Sequence, residues 1–228
     1  MKNLFTICLM LLITFASAQI TNNRGASSIS DGFTSSQVAA KGSPFFLKSW
    51  SKGNVVDQNG KFLDQTQLIY NTYNNQLFFR KNDNEDPKLV DGNTFPGFVL
   101  NHDNNTYIFS KISSSEFVDT KQKTKYYCIA NPPYRKVIVE YSSDFKDPNA
   151  SGWQSSRYNN KGGEFDQDTN VFVMNKYDKY EEVKLNKSSV LNFFADKKDE
   201  IKKYLKDNNI KLKEPADLVP VVKYYYSL

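Results

Sequence analysis

From Pro44 to Leu185 apolar residues recur with a period close to two, and turn-forming residues interrupt them at short intervals. No helical crossover separates the apolar runs, so parallel strands have no means of connection and antiparallel neighbours are expected. "FFLKSWSKGNVVD" reads as one or two extended pieces. Asn59-Gly60 in "QNGKF" suits a type I′ hairpin, because both central residues tolerate positive φ. "KFLDQTQLIYN" is the return strand, "NTYNN" the next turn and "QLFFRK" the next strand. "NDNEDPKLVDGNTFPG" is a loop, and "FVLNHDNNTYIFSKI" is a hairpin around Asp103-Asn104-Asn105. "TKYYCIANPPYRKVIVEY" is two strands broken at Pro132-Pro133, and "TNVFVMNKYDKYEEVKL" is a last hairpin around Tyr177-Asp178. About nine or ten strands at this spacing predict a curved meander, a barrel or a sandwich.

Within this pattern "LIYNTYNNQLFFRKND" (Leu68 to Asp83) concentrates rings and amides. Alternation puts Leu68 and Tyr70 on one face and Ile69 and Asn71 on the other; Leu77 pairs in direction with Phe79, and Phe78 with Arg80. Both faces carry apolar groups, so this hairpin should be covered on both sides. Asn71, Asn74 and Asn75 are turn formers in their place. Tyr73, at the turn tip, is the one ring expected to face a partner.

The C-terminus changes period. Ser188 can cap a helix starting near Val190, and Asp196 another, with Asp199 and Glu200 at its positive end. Ile201, Tyr204 and Leu205 then repeat at helical spacing with lysines opposite, which suits a solvated face on a helix docked against the sheet. A final helix should begin near Pro215, with a late start or a kink at Pro220. Strands followed by helices define an α+β chain: predominantly antiparallel β, then two or three C-terminal helices.

The N-terminus reads as an export signal. Met1-Lys2-Asn3 is a short positive region, Leu4 to Phe15 an apolar core, and Ala16-Ser17-Ala18 a small-x-small cleavage site. The apolar run is about 12 residues, short of the roughly 20 that span a bilayer. Cleavage after Ala18 leaves about 210 residues, enough for one or two domains. The expected organisation is a signal peptide at 1–18, a flexible segment at 19–42, the β domain at 43–187 and packed helices at 188–228. A long polar loop at 142–169 interrupts the β domain.

Charge and composition narrow the functions. The formal net charge is +5, or about +4 after cleavage, too mild to imply a nucleic-acid partner. Cleavage also removes Cys8 and leaves Cys128 alone, so no intramolecular disulfide can form and the core must carry stability. Cys128 lies in "KYYCIAN", where a buried thiol packs as a small hydrophobe. His102 is the single histidine. A triad would need a nucleophile and an orienting acid beside it, and the sequence shows neither. Zinc sites built from Cys and His are excluded, and no cofactor is expected. "NDNED" has oxygen ligands but Pro87 stands where a calcium loop needs glycine; "EFDQDTN" has Val171 in that place. Glu116, Glu140, Glu164 and Asp166 could form a glycosidase pair, though no spacing marks one. No phosphate-cradling glycine loop or nucleophile elbow is present.

"KGSPFF", "DQNGKFLDQTQLIYNTYNNQLFFR" and the terminal "LNKSSVLNFFADKKDEIKKYLKDNNIKLKEPADLVPVVKYYYSL" together resemble a group of secreted, β-rich proteins of Bacteroidota bacteria with a helical C-terminal segment. Pro220 departs from the usual Glu/Lys/Leu-rich terminal segment of that group. The resemblance implies location and architecture and no particular chemistry. The expected function is an exported envelope module that binds a glycan or protein partner, or is structural, without catalysis. Tyr73, Trp153, Arg157 and Tyr158 are its candidate contact residues, no integral membrane segment remains after cleavage, and no metal is expected. The alternative is an exported carboxylate-dependent hydrolase acting on glycans.

Overall fold

The computed structural model describes residue 37, residues 40–147 and residues 163–228. The signal peptide, most of the segment expected to be flexible, and Trp153, Arg157 and Tyr158 lie outside the described residues. Among the described residues ten strands form one antiparallel sheet. They are β1 (Ser51–Val56), β2 (Thr66–Asn71), β3 (Gln76–Arg80), β4 (Lys88–Leu89), β5 (Gly97–His102), β6 (Asn105–Ile112), β7 (Lys125–Ile129), β8 (Val137–Lys146), β9 (Glu164–Met174) and β10 (Tyr180–Glu182). Their order is β4-β3-β2-β1-β5-β6-β7-β8-β9-β10. Three helices follow: α1 (Lys187–Phe193), α2 (Lys198–Asp207) and α3 (Pro215–Tyr225). The fold is α+β, sheet then helices.

The chain is two meanders joined by one non-sequential step, where β5 returns to pair with β1. Gly53 permits that step. A Cβ there would lie 2.1 Å from the Val99 carbonyl oxygen and 2.9 Å from Leu68 Cδ1, so no other residue fits. Both edge strands are short, which limits pairing with other chains.

The sheet curls without closing into a barrel. Thr72, just past β2, and Ser143 of β8 are five strand spacings apart in the order, or about 24 Å if the sheet were flat. Their hydroxyls are 2.9 Å apart. The curl wraps an aromatic core. Phe98 and Phe109 stack at 4.6 Å and 10°. Tyr70 packs 5.3 Å from each of them, and Tyr126 sits edge-on 5.0 Å from Phe98. Leu68, Tyr70, Leu77 and Phe79 all point into this core. On the opposite face of the same hairpin Ile69 and Phe78 are also buried. The hairpin is therefore apolar on both sides, as its alternation requires.

A strap at residues 41–46 joins the two ends of the curl. Lys41 N–H donates to the Gly163 carbonyl at 2.9 Å and Phe165 N–H to the Lys41 carbonyl at 2.9 Å. Phe46 N–H donates to the Tyr70 carbonyl at 2.9 Å, and Thr72 N–H to the Pro44 carbonyl at 2.8 Å. Gly42 makes the approach to β9 possible: its φ is +77°, and a Cβ would meet the Phe165 carbonyl oxygen at 2.4 Å.

Beyond the curl, Val137, Val171, Val173 and Val183 meet Val190, Ile201, Leu205, Leu218, Val221 and Val222 of the helices in a second core. The lysines of α2 lie on its other side. On the reverse face of the sheet, Phe117 from the β6–β7 connection covers Tyr127, Phe172 and Tyr180.

Several local expectations change. The type I′ geometry falls at Asp103 and Asn104, with φ of 48° and 64°. At "QNGKF" only Gly60 has positive φ, 78°, because the Asp57 carboxylate accepts from both Asn59 N–H and Lys61 N–H and fixes a wider turn. The return chain meets β1 at a single bridge, Val56 opposite Phe62, with Leu63 N–H donating to the Val55 carbonyl at 3.0 Å, and continuous pairing begins at Thr66. The "NDNEDPKLVDGNTFPG" loop contributes the two-residue strand β4. The loop expected at 142–169 is narrower, since β8 runs to Lys146 and β9 starts at Glu164. Phe145 and Phe165 face each other there, with ring centroids 5.0 Å apart. α1 is capped by Asn186, whose side chain accepts from Ser189 N–H, rather than by Ser188. Asp196 lies in a 3-10 turn that leads into α2. α3 starts at Pro215 as expected and continues through Pro220.

If the stacked rings hold the curl, Phe109→Ala should cost about 3–5 kcal/mol, read as a fall in the urea unfolding midpoint. Phe62→Ala, at a ring 59% exposed, should shift stability by no more than about 0.5 kcal/mol.

Candidate functional site at the seam

Where the strap crosses the open side of the curl it leaves a cleft of about 170 Å³, lined by Phe46, Thr72, Tyr141, Ser142, Gln167, Asp168 and Thr169. Three pieces of chain build it. The strap supplies Phe46, whose ring lies 4.6 Å from Tyr141 and 5.0 Å from Tyr107. The β2–β3 turn supplies Thr72. The β8–β9 pair supplies the rest, with Tyr141 opposite Thr169 and Ser142 opposite Asp168. The Thr72 hydroxyl donates to the Pro44 carbonyl at 3.0 Å, and the Gln167 amide to the Phe45 carbonyl at 2.9 Å. Burial holds the Tyr141 phenol above its ordinary range. The cleft is smaller than the roughly 300–1,000 Å³ that encloses a drug-sized ligand. It suits one ring of a longer molecule, with aromatic surface on one side and hydroxyl, amide and carboxylate groups around it.

Tyr73 lies beside this seam. Its ring packs edge-on 5.5 Å from Phe165, and its hydroxyl accepts from the Gln37 amide at 3.1 Å. It is 40% exposed, so only part of the ring faces outward. The last rung of the β8–β9 pair, Lys146 opposite Glu164, brackets the segment that carries Trp153, Arg157 and Tyr158, three candidates outside the described residues. The cleft residues themselves escaped sequence reasoning. Thr72, Tyr141 and Gln167 carry no motif, and their meeting depends on the curl.

The carboxylates considered for hydrolysis do not all meet. Glu164 and Asp166 stand on one face of β9, about 7 Å apart along the strand, gathered with Asp144 around the Lys146 ammonium at the exposed end of the ribbon, while Glu140 lies apart from them. Glu140 and Asp144 are four residues apart on β8, and Asp166 lies opposite Asp144. At about 3.3 Å per residue, Glu140 and Asp166 are roughly 13 Å apart along the ribbon. Glycosidase pairs sit within about 5–9.5 Å. Glu140 is buried and ion-paired with Lys125, and Asp166 is ion-paired with Lys146. Glu116 closes a capping box with Ser113 and lies 3.9 Å from Arg135.

His102 has company that the sequence hid. Ser51 Oγ lies 3.2 Å from His102 Nδ1, and Asp103 Oδ2 lies 3.2 Å from Nε2. The three residue types are those of a hydrolytic triad, yet their exposure is reversed. Ser51 is 4% exposed, out of reach of a substrate carbonyl, while the Asp103 side chain is 85% exposed and loose in water. Cys128 is buried, and burial pushes its thiol up to about 12, the opposite of an activated nucleophile.

In "NDNED" the oxygens serve the turn itself: Asn82 Oδ1 accepts from Asn84 N–H, Glu85 from Lys81 N–H, and Asp83 pairs with Arg80. Among the described residues no three His, Cys, Asp or Glu side chains gather as a metal-ligand set. None of the described helices is long and apolar enough to cross a membrane. No family model, curated protein or solved structure matches the chain.

A structural role for the Glu140–Lys125 pair has a direct test. Lys125→Met should leave a buried carboxylate unpaired and cost about 1–3 kcal/mol, below the figure of about 3–5 for a fully buried pair because Lys125 is partly solvated. Adding Glu140→Met should recover most of the loss in chemical denaturation. Cys128 should resist alkylation at pH 8 in the folded protein and react fully in urea; rapid labelling of the native form would contradict its burial.

Proposed function

We propose that this chain is an exported, non-catalytic binding module of the bacterial envelope, of the kind that the sequence resemblance to secreted Bacteroidota proteins suggests. The observation that carries the reading is how the chemical groups are used. Glu140, Asp166, His102 and Cys128 are each occupied by an intramolecular partner or buried in the core. The seam cleft, by contrast, presents Phe46, Tyr141, Ser142, Asp168 and Thr169 around a space of about 170 Å³. Aromatic faces beside hydroxyl and carboxylate groups favour a sugar ring, which has an apolar C–H face and a polar edge. The proposed ligand is therefore a glycan that places one residue in the cleft, and export by cleavage after Ala18 brings the protein to it.

A glycan array probed with the mature protein tests this reading. Binding should appear and should weaken about tenfold in Thr169→Val, the loss expected for one hydrogen bond to a bound ligand, with the thermal midpoint nearly unchanged. An array without signal, or signal indifferent to Thr169→Val and Ser142→Ala, refutes the cleft as the site. Fractionation of the producing cells tests export separately: an intact, uncleaved chain in the cytoplasm would end that part of the proposal.

A further inference from the structure

The end of the β8–β9 ribbon remote from the seam carries a second surface that the cleft does not explain. The β7–β8 turn (residues 130–136) and the β9–β10 turn (residues 175–179) lie side by side, because Val137 pairs with Val173 and Met174 N–H donates to the Lys136 carbonyl at 2.9 Å. An asparagine fixes each turn. Asn131 Oδ1 accepts from Val137 N–H at 3.0 Å, and the Asn131 carbonyl from Tyr134 N–H at 2.9 Å. Asn175 Oδ1 accepts from Tyr177 N–H at 2.9 Å and Lys179 N–H at 3.2 Å. The effect is to hold Tyr134 and Tyr177 outward, 73% and 72% exposed. The end of α3 adds Tyr226, 48% exposed, anchored by its hydroxyl to the Met174 carbonyl at 2.9 Å, and Leu228, 50% exposed.

Basic groups surround these rings. Lys136 Nζ lies 5.1 Å over the Tyr226 ring and Lys176 Nζ 5.2 Å from the Tyr177 ring centre. Arg135 and Lys179 flank them, with Lys179 donating to the Ser115 carbonyl. Against these cations stand Asp178, 3.6 Å from Lys136, and Glu116, 3.9 Å from Arg135. Folding gives no reason to hold two tyrosines this far out of the core on stiffened turns.

We infer that this tyrosine-tipped basic end docks on the surface of an anionic lipid bilayer. Rings that are more than two-thirds exposed project from the molecule and do not wall a groove, so they do not offer the enclosed, flat contact that a sugar chain needs. An acidic protein partner would require about 800 Å² on this side, more than three separated rings provide. A bilayer interface accepts projecting rings at headgroup depth, where the phenol stays wet and the ring is sheltered. Cations at the base of the rings then meet anionic headgroups. The contact is peripheral, made by turns and a chain end, and it is independent of whether the seam binds a glycan.

Vesicle co-sedimentation of the mature protein tests it. Vesicles of phosphatidylcholine mixed with phosphatidylglycerol should carry the protein down, pure phosphatidylcholine should not, and salt should weaken the binding. Lys176→Gln and Arg135→Gln should each weaken it roughly fivefold, the value of one juxtamembrane cation. Tyr134→Ser with Tyr177→Ser should lose a part of the binding that persists in salt. Unchanged circular dichroism and thermal midpoints would show that these exposed positions leave the fold intact. Failure to bind anionic vesicles overturns the inference. So does equal binding of soluble dextran sulfate that ignores the tyrosine pair, since that reports an acidic polymer held by charge alone. Thr169→Val should not alter vesicle binding, which keeps this result separate from the cleft.

Discussion

The contact between the two ends of the curled sheet is the constraint on which the rest of the structure depends. Thr72 and Ser143 are far apart in the strand order yet touch, and the strap is hydrogen-bonded to β2 on one side and β9 on the other. The curl encloses Tyr70, Phe98, Phe109 and Tyr126 completely enough that each is at most 5% exposed. Burial of such rings contributes more than any single hydrogen bond. The strap's polar contacts act differently: they satisfy backbone groups that the curl would otherwise bury unpaired. Cys128 is free and buried, so among the described residues ring packing and backbone satisfaction together take the place of covalent staples.

The same economy shapes the chemistry. Groups that could have served catalysis hold the sheet instead. Lys125 neutralises Glu140 across β7 and β8, Ser51 contacts His102 across β1 and β5, and Cys128 fills space in the aromatic core. The two surfaces on which the proposals rest lie at the middle of the β8–β9 ribbon and at its Val137–Val173 end. One is a small mixed cleft under the strap. The other is a convex set of tyrosines among lysines. The two proposals together, a glycan held under the strap and a lipid surface met by the tyrosines, would suit a protein working at an envelope boundary.

Much of the fold was legible because its signals are local. Alternation assigned the faces of Leu68, Tyr70, Leu77 and Phe79 correctly, and Pro215 marked the first turn of α3. The misreadings share a cause. At Asn59-Gly60 the dipeptide suggested a tight hairpin, but the Asp57 carboxylate two residues earlier captured the N–H groups and widened it. Between 142 and 169 polar residues suggested a loop. Alternate ones, such as Ser143, Phe145, Phe165 and Gln167, face inward toward the strap, so the strands run on. Asn186 displaced Ser188 as the α1 cap because both can accept, and only the chain's exit from the sheet decides which is placed to do so.

The sequence by itself determined the antiparallel β pattern, the switch to helices after Leu185, the scarcity of cysteine and the absence of a recognisable catalytic motif. Those depend on periodicity and inventory, which need no knowledge of distant contacts. Tertiary structure alone decided that β5 returns to β1, that the sheet curls until Thr72 meets Ser143, and that Tyr134, Tyr177 and Tyr226 share one end. Each of these joins residues tens of positions apart, and what selects them is burial in cores assembled from the whole chain, which no short stretch encodes.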